Sequence, residues 1–128
     1  TAEGPYTWPG PGSVVPVRSH INEWPSPTTH CPGHRGLPVL AFFEESVNVT
    51  AHTFTRDGEE PVDHCVFDGT DYKNPDSSAR SLGRAILDGA NAVVLMPDQP
   101  LLPGEEYCFS VTSRGVTVDS CFLVDPNA

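Results

Sequence analysis

The chain has 128 residues, which is one domain with enough length to bury its own core. Its 11 glycines and 14 prolines are about a fifth of the sequence and favour many turns over long helices. Seven Lys and Arg against seventeen Asp and Glu give a formal net charge of −10, which repels a nucleic-acid backbone and an anionic membrane surface alike.

Residues 1–12, "TAEGPYTWPGPG", are rich in Pro and Gly and read as an extended lead-in or linker. The domain proper is expected over 13–128. "SVVPVRS" (13–19) suits an edge strand, because Pro16 has no N–H to give to a ladder. "LPVLAFF" (37–43) is short and nearly continuously apolar, as a buried strand is. In "VNVTAHTFTRDGEEPVDHCVF", strict alternation puts Val47, Val49, Ala51, Thr53 and Thr55 on one face. Thr50, His52 and Phe54 fall on the other. Asp57-Gly58 signals a hairpin, with 62–67 returning antiparallel.

The polar stretch 68–91 follows, and Leu82, Ile86 and Leu87 at helical spacing predict one short helix within 78–87. Gly83 weakens it. "AVVLMP" (92–97), "EEYCFSVTSR" (105–114) and "VTVDSCFLV" (116–124) read as strands. About seven short strands between Gly/Pro turns predict an all-β sandwich. No apolar run approaches the 18 residues of a membrane span, so membrane insertion is not expected. Lacking an initiator Met and a signal-peptide pattern, the sequence reads as a mature or excised piece.

Four cysteines allow three pairings. With Arg114-Gly115 as the tip of a two-residue hairpin, partner numbers sum to 229, and Cys108 faces Cys121. Pair type alternates outward from the turn, so the two occupy a non-hydrogen-bonded pair. There Cα atoms approach to about 4.5 Å, which a disulfide accepts. Cys31 and Cys65 then remain for each other, closing a loop of about 35 residues. Two disulfides imply an oxidising compartment and hence a secreted or extracellular domain.

Two stretches carry a resemblance. "WPGPGSVVPVRSHINEWPSP…HRGLPVLAFF" resembles the entry of an Ig-like β-domain found beside SCP-like (CAP) domains in secreted bacterial proteins. "NAVVLMPDQPLLPGEEYCFSVTSRG" is similar to its close, through Pro97, Pro100, Leu101, Pro103, Gly104 and Tyr107. The resemblance implies an Ig-like or fibronectin-like sandwich and secretion. It supplies no catalytic residue, and the two cysteine pairs lie outside its pattern.

Candidate sites are few. His30, Cys31, His34, His64 and Cys65 are zinc-ligand types, and His30-x3-His34 could chelate from one turn. Bridging the cysteines leaves a histidine-only metal set of His30, His34 and His64. Asp68, Asp71, Asn74 and Asp76 offer hard oxygens but lack the spacing of a calcium loop, and read as a solvated turn. Glu44-Glu45 and Glu59-Glu60 are adjacent on extended chain, so the two carboxylates of each pair point to opposite faces. Tyr6, Trp8 and Trp24, in Pro-rich segments, are the candidate binding aromatics. Asn48-Val49-Thr50 is a formal glycosylation sequon.

The reading that fits best is a non-catalytic extracellular accessory or interaction module of a secreted or envelope protein. No cofactor is expected, and the partner is another domain or protein at the cell surface. The alternatives are a carbohydrate or cell-wall-glycan binder using the three aromatics, and a metal-binding protein or hydrolase using the histidines.

Overall fold

The computed structural model describes residues 5–18, 31, 36–57 and 59–128. In chain order they form β1 (Tyr6–Trp8), β2 (Val14–Val15), β3 (Val39–Phe42), β4 (Val49–Arg56), β5 (Glu60–Pro61), β6 (His64–Asp68), α1 (Ser77–Ala90), β7 (Ala92–Pro97), β8 (Glu106–Ser113) and β9 (Val116–Val124). One sheet runs β1-β3-β7-β6 and the other β2-β9-β8-β4-β5. A mostly β chain with one short helix was expected, but the described strands number nine rather than seven. The two additions, β1 and β5, have three and two residues, too few to show an alternating pattern.

The sheets pack face to face. Val39 and Ala41 of β3 and Val93 and Leu95 of β7 meet Phe54 of β4, Phe109 and Val111 of β8, and Phe122 and Val124 of β9 in one buried cluster. A second cluster lies on the outer face of the first sheet. There Ala92, Val94 and Met96 of β7 pack with Phe67, Tyr72, Cys31 and Leu87 of α1. Covered on both faces, β7 is buried at all six positions, which is why its sequence is continuously apolar.

Helix α1 is longer than the predicted 78–87. Asp76 caps it by accepting from the Ser78 and Ala79 N–H groups. At the other end Asn91, with φ 50°, returns its N–H to the Asp88 carbonyl and its side-chain amide to the Phe43 carbonyl. Of the three apolar residues that predicted it, only Leu87 is buried, whereas Leu82 and Ile86 are exposed. Gly83 lies on the buried face.

The register worked from the last hairpin holds throughout. Ser113 pairs with Val116, Val111 with Val118 and Cys108 with Cys121. Arg114 and Gly115 take φ 49° and 79°, the left-handed pair that a twisted two-residue turn requires. Both expected disulfides form, with Cα separations of 6.1 Å for Cys31–Cys65 and 4.1 Å for Cys108–Cys121.

Three details differ from the sequence reading. A β-bulge between Val49 and Ala51 shifts the register of β4 against β8. One extra residue reverses the faces beyond it, so Val47 and Val49 join the core while Ala51 and Thr53 are exposed and Phe54 is buried. The return strand after Asp57 is β5 alone, pairing Arg56 with Glu60 and Thr55 with Pro61; Gly58 lies outside the described residues. Beyond Val62 the chain crosses to the other sheet, where β6 pairs with β7. Before the crossing the Val62 N–H still donates to the Phe54 carbonyl of β4.

Finally, part of the expected lead-in is tied to the sheets. Tyr6, Thr7 and Trp8 face Phe42, Ala41 and Leu40 across β1 and β3, the Pro9 carbonyl accepts from Ser120 Oγ, and the Gly12 N–H donates to the Cys121 carbonyl. Among the described residues of the segment, 13–18, only Val14–Val15 is strand. It lies at a sheet edge as expected, parallel to β9.

Candidate functional site

Tyr6 and Trp8 are two residues apart on edge strand β1 and therefore share a face. Their partners Phe42 and Leu40 lean on the second core cluster, so this is the outer face of the first sheet, the side on which α1 packs. Tyr6 stacks on Phe42 with centroids 4.7 Å apart. Even so, Tyr6 is 42% and Trp8 46% exposed. The third aromatic of the set, Trp24, lies outside the described residues. The two large rings stand open on one face of the strand, an orientation that the sequence could not give.

Of the expected metal set, His30 and His34 lie outside the described residues. His64 stands at the start of β6 and meets a residue the sequence reading did not select. Its Nε2 is 2.8 Å from Nδ1 of His52 on β4, and the rings meet edge to face at 4.9 Å. The His64 Nδ1 lies 2.8 Å from the Val62 carbonyl, so this nitrogen carries the proton and donates it there. Phe54 flanks His64 at 5.8 Å. Partial burial, and secondarily the neighbouring charge of His64, hold His52 below the ordinary imidazole range.

His52 shares with Phe54 the side of β4 that looks toward the other sheet, as strict alternation has it. It was not selected because no local pattern shows that this side meets β6. Only the crossing from β5 to β6 brings His64 opposite. All four cysteines are bridged, which removes Cys31 and Cys65 as thiolate ligands. Among the described residues no three His, Cys, Asp or Glu side chains gather in one place.

The acidic stretch 68–76 is not a solvated turn throughout. Asp68 and Asn74 are buried. The Asp68 carboxylate accepts from the Thr70 N–H and hydroxyl, Asp71 accepts from the Asp68 N–H, and Asn74 Oδ1 accepts from the Asp76 N–H. With Asp76 capping α1, these oxygens shape the loop that leads into the helix. They are spent on backbone geometry rather than gathered around one point.

Among the described residues a cleft of about 540 Å³ is bordered by Lys73, Asn74, Pro75, Arg80 and Arg84, and two smaller ones lie elsewhere. One of about 270 Å³ is bordered by Glu44, Glu45, Ser46 and Arg114; Arg114 donates to the carbonyl and hydroxyl of Ser46. The other, of about 300 Å³, is bordered by Arg56, Glu60, Pro100 and Tyr107. Arg56 lies 4.0 Å from Glu60. Among the described residues no helix is long and apolar enough to cross a membrane. Comparison with known proteins finds no matching family model and no matching curated protein.

Proposed function

We propose that the chain is a non-catalytic extracellular interaction module of a secreted or envelope protein, an Ig-like domain of the kind found beside SCP-like (CAP) domains. Strand order supports the Ig-like reading. Relabelled A, A′, B, C, C′, D, E, F and G in chain order, the two sheets read A-B-E-D and A′-G-F-C-C′, the division of an immunoglobulin domain. Tyr107, the second residue of strand F, accepts from the Leu102 N–H at 2.8 Å, as a tyrosine corner does.

There are also departures from that pattern. Helix α1 is inserted between D and E, and the inter-sheet B–F disulfide of antibody domains is replaced by apolar packing around Ala41 and Phe109. The bridges present are a cross-strand F–G pair and a tie from Cys31 to strand D. Covalent closure of this kind suits an oxidising, protease-rich exterior.

The observation that carries the reading is the open Tyr6–Trp8 face on edge strand A. Amphipathic rings of this kind anchor protein interfaces. The partner is another domain or protein at the cell surface. Isothermal titration against a neighbouring domain of the parent protein tests this: binding should be lost in Tyr6→Ala/Trp8→Ala while the melting temperature holds. A heat of binding unchanged by that pair of substitutions would sink the assignment of the face.

The same exposed rings favour one second reading, stacking on a cell-wall glycan. Sedimentation with purified cell-wall polymer separates the two, since only the glycan reading predicts co-sedimentation that depends on Trp8.

A further inference from the structure

His52 of one sheet and His64 of the other bring two ring nitrogens within 2.8 Å of each other. Because the Val62 carbonyl can only accept, His64 must hold its proton on Nδ1, which leaves the Nε2 lone pair aimed at His52 Nδ1, 2.8 Å away. Two nitrogen lone pairs cannot face one another at that distance without a positive centre between or beside them. A proton on His52 Nδ1 is one such centre. A metal ion is the other.

Three observations favour a metal-binding capacity. An imidazole ligand whose second nitrogen donates to a backbone carbonyl is the usual supporting arrangement at metal centres, since that bond fixes tautomer and ring direction. His64 already has this bond. Second, nitrogens about 2.0 Å from one ion lie about 2.8 Å apart at right angles and about 3.3 Å apart at the tetrahedral angle. The 2.8 Å now spanned by a hydrogen bond from His52 Nδ1 to His64 Nε2 equals the right-angle spacing. A square-planar or tetragonal ion could therefore replace the shared proton once the His52 ring turns, with no change in nitrogen separation. Third, His52 is exposed, so it can swing its ring off the nitrogen–nitrogen line, and the outward positions are open to water. The net charge of −10 raises the local concentration of cations around the molecule.

We propose that His52 and His64 form a bidentate site for a tetragonal divalent ion, Cu2+ before Ni2+ and both before Zn2+, with water in the remaining positions. The order follows from the right-angle bite and from the intrinsic preference of nitrogen sites for Cu2+. The site is distinct from the aromatic face of β1 and joins a residue of each sheet, so the ion would clasp β4 to β6.

The test uses the intact oxidised chain, stripped with a chelator and titrated with Cu2+ in a weakly coordinating buffer containing competing glycine. Electron paramagnetic resonance should show one saturable site with coupling to two nitrogens, and Zn2+ should bind more weakly. His52→Ala and His64→Ala should each weaken Cu2+ binding by at least about tenfold, whereas His30→Ala/His34→Ala should retain it. Circular dichroism checks each fold; if His64→Ala unfolds, the exposed His52 position decides alone. Unchanged Cu2+ affinity and nitrogen coupling in His52→Ala would overturn the proposal. So would loss confined to the His30/His34 variant, or Zn2+ bound more tightly than Cu2+.

Discussion

Removing the two disulfides one at a time should destabilise the protein unequally, by amounts set by the unfolded chain. Cys31–Cys65 spans 34 positions and Cys108–Cys121 spans 13. In the chain-entropy model these loops correspond to about 3.8 and about 2.9 kcal/mol at 25 °C. The loops do not overlap in sequence, so the two costs should add to about 6.7 kcal/mol, a large part of the 5–15 kcal/mol typical of a domain. Burial widens the gap. Cys31 is 1% exposed and packs with Phe67 and Tyr72, so its truncation also opens a small void, whereas Cys121 is exposed and leaves none.

Cys31→Ala/Cys65→Ala should therefore lose more stability in urea melts followed by circular dichroism than Cys108→Ala/Cys121→Ala. The urea slope should rise most in the former, because the longer loop is released in the unfolded state. Equal losses, or a larger loss for the hairpin pair, would refute loop closure and burial as the source. Under mild reductant, mass mapping of alkylated thiols should find the Cys108–Cys121 pair, whose Cys121 is exposed, opening first.

Three further outcomes can be checked by the same melts. Tyr107→Phe leaves the Leu102 N–H without its 2.8 Å acceptor and should cost about 1–3 kcal/mol; a loss below about 0.5 kcal/mol would show that the corner does not depend on this bond. Gly36→Ala would put a Cβ 2.5 Å from the Gln99 carbonyl oxygen and from the Pro97 Cβ. Backbone must move, so we expect a loss of roughly 1–3 kcal/mol, and a neutral outcome would contradict the close approach. Asp76→Ala removes the acceptor for the Ser78 and Ala79 N–H groups and should cost about 1 kcal/mol, with Asp76→Asn largely restoring it.

How far the sequence spoke depended on whether a feature was local. The last hairpin was fully legible, because a two-residue turn and a period of two fix every partner from Ser113–Val116 out to Cys108–Cys121. Once that bridge was placed, arithmetic alone assigned Cys31 to Cys65. β7 was legible from its unbroken apolar run, although the sequence did not say that a helix and a sheet bury its two faces. The helix was found from Leu82, Ile86 and Leu87, yet two of those three face solvent. Its existence was therefore read correctly for a partly wrong reason; Asp76 and Asn91, its actual ends, are capping residues that sequence could have used.

What the sequence could not supply were the consequences of pairing at a distance. Nothing in "VNVTAH" announces the bulge opposite Thr112 and Ser113, because a bulge is a mismatch between two strands rather than a property of one. That single extra residue put Val47 and Val49 on the same side as Phe54, and the crossing beyond Val62 carried His64 to meet His52. Likewise "YTW" read as part of a linker until β3 lay beside it. Composition, turn chemistry and cysteine register determined that this chain is a twice-bridged β-domain. Tertiary structure decided which aromatic rings stand open and which histidines touch, since both depend on contacts between segments that no local pattern encodes.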